Sequence, residues 1–137
     1  MLPKKILVPL TPSTRDLNSV HYAMSLAERL QAHVVILQQT DGAGPDDALS
    51  AWMDEALLDL INLARQAGLV VSHHVSQSLL EEEIVGLVRS EGIDVLVFGD
   101  EDGAEEHLVL QIKPLIPGQI IQVKGKDHIR YLRQEEG

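Results

Sequence analysis

The chain has 137 residues and a formal net charge of −10, which fits one domain and disfavours nucleic acid or an anionic membrane as the main partner. It contains no cysteine, so disulfides, thiolate metal sites and a cysteine nucleophile are excluded. Aromatic residues make up 3%, so the core is expected to be aliphatic. No apolar run approaches the roughly eighteen residues of a membrane span, and no secretory-type leader is present, so a cytoplasmic chain without membrane insertion is expected.

Lys4-Lys5-Ile6-Leu7-Val8-Pro9-Leu10 opens the chain as a strand apolar enough for burial on both faces. Thr11-Pro12-Ser13-Thr14 follows as a turn whose hydroxyls can cap a helix. Leu17, Val20, Met24, Ala27 and Leu30 then recur at helical spacing up to Gln31. Val34 to Leu37 reads as a second strand, and Asp41 to Pro45 as a loop.

A long helix is expected from about Asp46 to Ala67. Leu49, Met53, Ala56, Leu57, Leu60, Leu63 and Ala64 line its stripe, and Gly68 caps its end. Leu69 to Val75 is a third strand. Ser78 and Glu81 have the spacing of a capping box ahead of Leu80, Ile84, Leu87 and Val88. Gly92 stops that helix, Ile93 to Phe98 is a fourth strand, and Ile120 to Val123 a fifth. Apolar strands alternating with helices call for a parallel sheet covered on both faces, and right-handed crossovers make it doubly wound. Residues 1–126 form this domain. Lys124, Lys126, Arg130 and Arg133 place four of the eleven Lys and Arg residues in the last fourteen positions, so 127–137 reads as a basic C-terminal tail.

"KKILVPL", "YAMSLAERLQAHVVIL", "LARQAGLVV" and "GIDVLVFG", in that order, resemble the universal stress protein family over roughly Lys4 to Val123. The resemblance implies an open five-stranded parallel sheet in order 3-2-1-4-5 and dimers that pair through the last strand. It also implies, for part of the family, ATP at the carboxyl ends of the first and fourth strands. There open α/β sheets place their ligands. Nucleotide-binding members carry an aspartate after the first strand. After the fourth they carry Gly-x2-Gly-x9-Gly followed by Ser or Thr, whose amides hold phosphate.

The chain departs from that pattern. Thr11 stands at the aspartate position. Gly99 matches the first signature glycine, Asp102 stands at the second with Gly103 one residue late, and Lys113-Pro114 replaces the final Gly-Ser. Pro114 and Pro117 interrupt the last helix, which is therefore expected to be short, about Ala104 to Gln111. Asp100, Glu101, Asp102, Glu105 and Glu106 crowd the same corner. One carboxylate about 6 Å from a phosphate charge costs roughly 1–3 kcal/mol. Each lost donor forfeits about 1.5–3 kcal/mol. Together these exceed the roughly 4 kcal/mol between micromolar and millimolar affinity. Tight ATP binding is not expected, and no cofactor is implied. In the alternative reading, a nucleotide binder with a rearranged phosphate grip, the site residues are Pro9, Leu10, Thr11, Gly99 and Gly103.

Other chemistry is thin. Asp100 and Asp102 could hold a divalent cation, but the spacing is not that of an EF-hand, and acids at a helix start are an ordinary pattern. His73 and His74 are adjacent, so on a strand they point to opposite faces. No Gly-x-Ser-x-Gly elbow is present, and Asp94 reads as structural. Trp52 lies beside the long helix's stripe, as core margin or interface anchor. An enzyme is not expected.

Gln119 to Val123 follows Pro117-Gly118 and is expected at a sheet edge, with Ile121 and Val123 on one face and Ile120 and Gln122 on the other. Edges invite pairing, so Ile120, Ile121, Gln122 and Val123 are the expected homodimer interface. The reading that emerges is a non-catalytic regulatory module, self-associating and acting through protein contacts or a ligand other than ATP. A sensing domain associated with a transporter or sensor kinase is a further alternative.

Overall fold

A computed structural model describes residues 4–11, 17–40, 48–77, 80–99, 114, 119–124 and 128–132; for 48–52, 80, 81, 124 and 128–132 it describes the backbone alone. Strands β1 (Lys5–Leu10), β2 (His33–Gln39), β3 (Val71–Ser76), β4 (Val95–Gly99), β5 (Ile120–Lys124) and β6 (His128–Leu132) build one sheet in the order β3-β2-β1-β4-β5-β6. The first five are mutually parallel in order 3-2-1-4-5, and β6 runs antiparallel to β5. Helices α1 (Asn18–Leu30), α2 (Ala48–Gln66) and α3 (Leu80–Leu87) connect the strands. The fold is therefore the open doubly wound α/β sheet expected.

Alternation along the strands divides the core in two. Ile6, Val8, Leu10, Val34, Ile36, Val97, Ile121 and Val123 pack with Val20, Ala23 and Ala27 of α1 and Leu57, Ile61 and Ala64 of α2. Leu7, Val35, Leu37, Leu96, Phe98 and Ile120 pack on the opposite face with Ile84 of α3. Residues Ile6 to Leu10 are all buried, as an apolar strand covered on both sides requires.

The helix ends follow local chemistry. At the end of α1, Gln31 takes a left-handed conformation with φ 54°, and the Ala32 amide donates back to the Ala27 carbonyl at 3.0 Å. Gly68 ends α2 with φ 97°, and the Leu69 amide donates to the Ala64 carbonyl at 3.0 Å, the wrapped-back closure that glycine permits. Past α3 the backbone widens into a π-helical turn, Val88–Gly92, closed by Gly92 at φ 69°. Asp46, Asp47, Ser78 and the short helix expected at 104–111 lie outside the described residues, as does the side chain of Trp52.

Two expectations are corrected at the end of the chain. Residues 128–132, read as part of a basic tail, are a sixth strand. Consequently β5 is not an edge: it pairs with β4 on one side and with β6 on the other. Ile120, Ile121, Gln122 and Val123 are all buried within the sheet, Ile121 at 1% exposure. Their division between faces is as expected, Ile121 and Val123 in one core and Ile120 in the other. A charge at Ile121 would therefore disrupt folding before it could report on association.

Candidate functional site

The sheet order reverses between β1 and β4, the strands whose carboxyl ends flank the crevice where such sheets receive ligands. Along β1, Lys5 directs its backbone toward β4: its carbonyl accepts from the Asp94 amide at 2.9 Å, and its amide donates to Asp94 Oδ2 at 3.0 Å. The carbonyl of Lys4 instead accepts from His33 of β2 at 2.8 Å. Alternation therefore turns Leu7 and Pro9 toward β4 as well.

Pro9 has no amide hydrogen to give. Among the described residues, the ladder from β1 to β4 holds Ile6 against Val95 and Leu7 against Leu96 and stops there. The ladder from β1 to β2 continues through Leu10 against Gln38. A proline in a central strand is ordinarily excluded because it breaks the ladder; here the ladder to β4 is not continued past Leu7.

Of the predicted nucleotide-site residues, the structure brings Pro9, Leu10, Thr11 and Gly99 to this end of the seam. Pro9 and Leu10 are buried, and Thr11 and Gly99 are half-buried. Gly99 closes β4 in register with Val123. Gly103 and the metal candidates Asp100 and Asp102 lie outside the described residues. Among the described residues no group of three or more His, Asp or Glu side chains is placed to hold a metal.

At the other end the seam is clamped. Besides its two backbone-directed bonds, Lys5 carries an ion pair from its Nζ to Glu91 Oε1 at 3.0 Å. The π-helical turn supplies that glutamate. Asp94 thus has the structural role expected of it.

A polar chain two strands away was not anticipated. Gln38 Nε2 donates to Asp54 Oδ1 at 2.8 Å, and His73 Nε2 lies 2.9 Å from Gln38 Oε1. The carboxylate fixes the amide, so its oxygen faces the ring and His73 carries its proton on Nε2. Burial holds the His73 pKa below 6.5, Arg65 and His74 push it the same way, and Asp54 opposes them. Arg65 also covers the sheet edge, donating from Nη2 and Nε to the Val71 carbonyl at 2.8 and 3.2 Å. His74, the next residue, is exposed, so the pair shares no site. On the opposite face Ser76 Oγ donates to Glu83 Oε1 at 2.8 Å, fastening β3 to α3.

An open α/β sheet with its crevice at the β1–β4 reversal defines the class. The family model for the universal stress protein family matches residues 3–111, and the chain belongs to that family. Solved structures share the fold at low identity. The universal stress protein UspA of Lactobacillus plantarum is 20% identical with a TM-score of 0.57, covering 88% of this chain and 97% of its own. A universal stress protein from Archaeoglobus fulgidus in complex with dAMP is 19% identical at 0.62, covering 90% and 100%. One from Arabidopsis thaliana with AMP bound is 16% identical at 0.56, covering 89% and 92%. No curated protein matches the chain. No helix among the described residues is long and apolar enough to cross a membrane.

Proposed function

We propose that the chain is a non-catalytic regulatory module of the universal stress type, self-associating and without tight affinity for ATP. One observation carries this reading. The β1–β4 seam, whose ladder Pro9 cannot extend, is followed directly after Gly99 by a segment containing Asp100, Glu101, Asp102, Glu105 and Glu106. The glycine and serine donors that would offset a triphosphate are replaced there by Lys113-Pro114. A carboxylate near a phosphate costs roughly 1–3 kcal/mol and each missing donor about 1.5–3 kcal/mol, and both disfavour a triphosphate. Signalling then passes through protein contacts or a less charged ligand.

A second reading is favoured by the relatives with bound dAMP and AMP. A monophosphate brings far less charge against the same carboxylates than a triphosphate does, so adenosine could rest against the backbone of Leu10 and Thr11. Calorimetry with AMP and with ATP plus Mg²⁺, alongside native mass spectrometry of freshly purified protein, separates the two. The first reading expects no co-purified nucleotide and no micromolar binding of either. Micromolar AMP with weak ATP establishes the second, and micromolar ATP overturns both.

A further inference from the structure

We propose that the free edge of β3 is a docking surface for a cationic, extended segment of a partner protein, which adds to the sheet as a further strand. The inference goes beyond the reading above, and the nucleotide measurements given there do not bear on it. β3 ends the sheet on the side opposite β6. The Val34 amide donates to the Val70 carbonyl and the Thr40 amide to the Ser76 carbonyl, each at 2.9 Å. The register between them runs from Val34 against Val71 to Gln39 against Ser76, so even-numbered residues of β3 turn their backbone toward β2. Val71, His73 and Val75 turn theirs outward.

That outward row is closed at one end only. Arg65 of α2 occupies the Val71 carbonyl with Nη2 and Nε. Further along, His73 and Val75 each present one donor and one acceptor, and among the described residues no strand lies beyond them. Edges are ordinarily kept from pairing by lysine, proline or a bulge. β3 reads Val-Ser-His-His-Val-Ser, and its register to β2 runs without a bulge. Beside the open groups lies an apolar ledge. Val75 is 60% exposed and Leu58 50%. Leu58 follows Asp54 by one turn and precedes Arg65 by two, on the side of α2 from which both reach this edge. An added strand takes its hold from the backbone groups and sets alternate side chains on that ledge.

Charge selects the occupant. Carboxylates flank the open half on both faces of the sheet. On the α2 side Asp54 is held by Gln38, the register partner of Val75. On the α3 side Glu83 is held by Ser76. Arg65 sits at the closed end and is committed to Val71, and the chain as a whole carries −10. A segment in which lysine or arginine alternates with β-branched residues complements both the charge and the ledge. A second copy of this edge brings the same carboxylates rather than their complement.

The probe is the capped heptapeptide Lys-Val-Thr-Val-Lys-Val-Lys, titrated into the full chain and followed by amide chemical shifts and deuterium exchange. Saturable shifts centred on the His73 and Val75 amides are expected, with exchange slowed at both. Replacing the peptide's lysines by glutamate, or methylating its backbone amides, is expected to weaken it at least about tenfold, ~1.4 kcal/mol. Val75→Pro removes one outward donor without touching the ladder to β2 and should weaken the peptide likewise. Val75→Lys, a charge at an exposed position, should do the same while keeping the thermal midpoint. Equal binding by the methylated peptide, or unaltered binding to folded Val75→Lys, overturns strand addition at this edge. Equal binding by the glutamate peptide overturns the cationic partner. No shifts at millimolar peptide overturn the whole. Shifts of the same amides that grow with protein concentration alone identify a second copy as the occupant and overturn it too.

Discussion

The seam between β1 and β4 is tied by side chain and backbone at one end and lacks its backbone ladder at the other, and one strand carries both causes. At the amino end Lys5 is held by the Asp94 backbone, the Asp94 carboxylate and Glu91. Four residues later Pro9 faces the same neighbour with no hydrogen to donate, and the ladder has already ended at Leu7. The bonds at the base hold the two strands in register, so the loss of the ladder beyond Leu7 stays local to the carboxyl end. The difference teaches that a ladder in a doubly wound sheet can be ended by subtracting one donor while the other end stays firmly tied.

The largest effect is expected where the clamp is removed. Asp94→Ala deletes the acceptor of the partly buried Lys5 amide, a charge-assisted bond, and should cost about 2 kcal/mol. Asp94→Asn keeps an acceptor oxygen and should recover part of that. Urea denaturation measures both, and an unchanged midpoint for the alanine variant would show that the base of the seam is held by packing alone.

Pro9→Val addresses the open end. Restoring the amide adds one hydrogen bond of about 1 kcal/mol, while removing proline frees the unfolded chain by about 0.4–1 kcal/mol. The two nearly cancel, so stability should stay within about 0.5 kcal/mol. The informative signal is local: the new amide at position 9 should exchange slowly with deuterium as the ladder to β4 extends. Rapid exchange there would mean that something other than the missing donor ends the ladder at Leu7.

The ion pair at the base is expected to matter least of the three. Lys5 and Glu91 keep 29% and 41% of their side-chain surface exposed, and pairs in that setting are worth at most about 0.5 kcal/mol after screening. Glu91→Gln should shift the urea midpoint barely and lose even that in high salt. A larger effect would assign the clamp to Glu91 rather than Asp94.

The first five strands, the helix stripes and the stop at Gly92 were legible in sequence because aliphatic runs and apolar periodicity record burial directly. Pro9 was equally visible. Its consequence was not, because a donor's absence matters only once the neighbour it faces is known. Strand β6 was hidden by charge: Lys124, Lys126, Arg130 and Arg133 drew attention to a tail, yet His128-Ile129-Arg130-Tyr131 alternates polar and apolar as a half-covered strand does. The chain from Asp54 through Gln38 to His73 spans a helix and two strands, and no spacing in sequence encodes a contact among three elements. The acidic segment after Gly99 was read from composition and charge, and most of the candidate phosphate corner lies in it.

That polar chain supplies a control outside the seam. Burial and the Arg65 charge hold the His73 pKa below the 6.5 of an unfolded histidine. The unfolded chain therefore takes up a proton that the folded chain resists as pH falls through 6.5. Stability should decline from there until the folded-state ring itself protonates, and the slope then vanishes. His73→Gln should flatten this part of the profile, since glutamine can still donate to Gln38 without titrating. Asp94→Ala should leave the slope in place and lower the whole curve. If His73→Gln leaves the slope near pH 6.5 intact, another of the six histidines carries it, and the Gln38 bridge does not tie the ring's protonation to the fold.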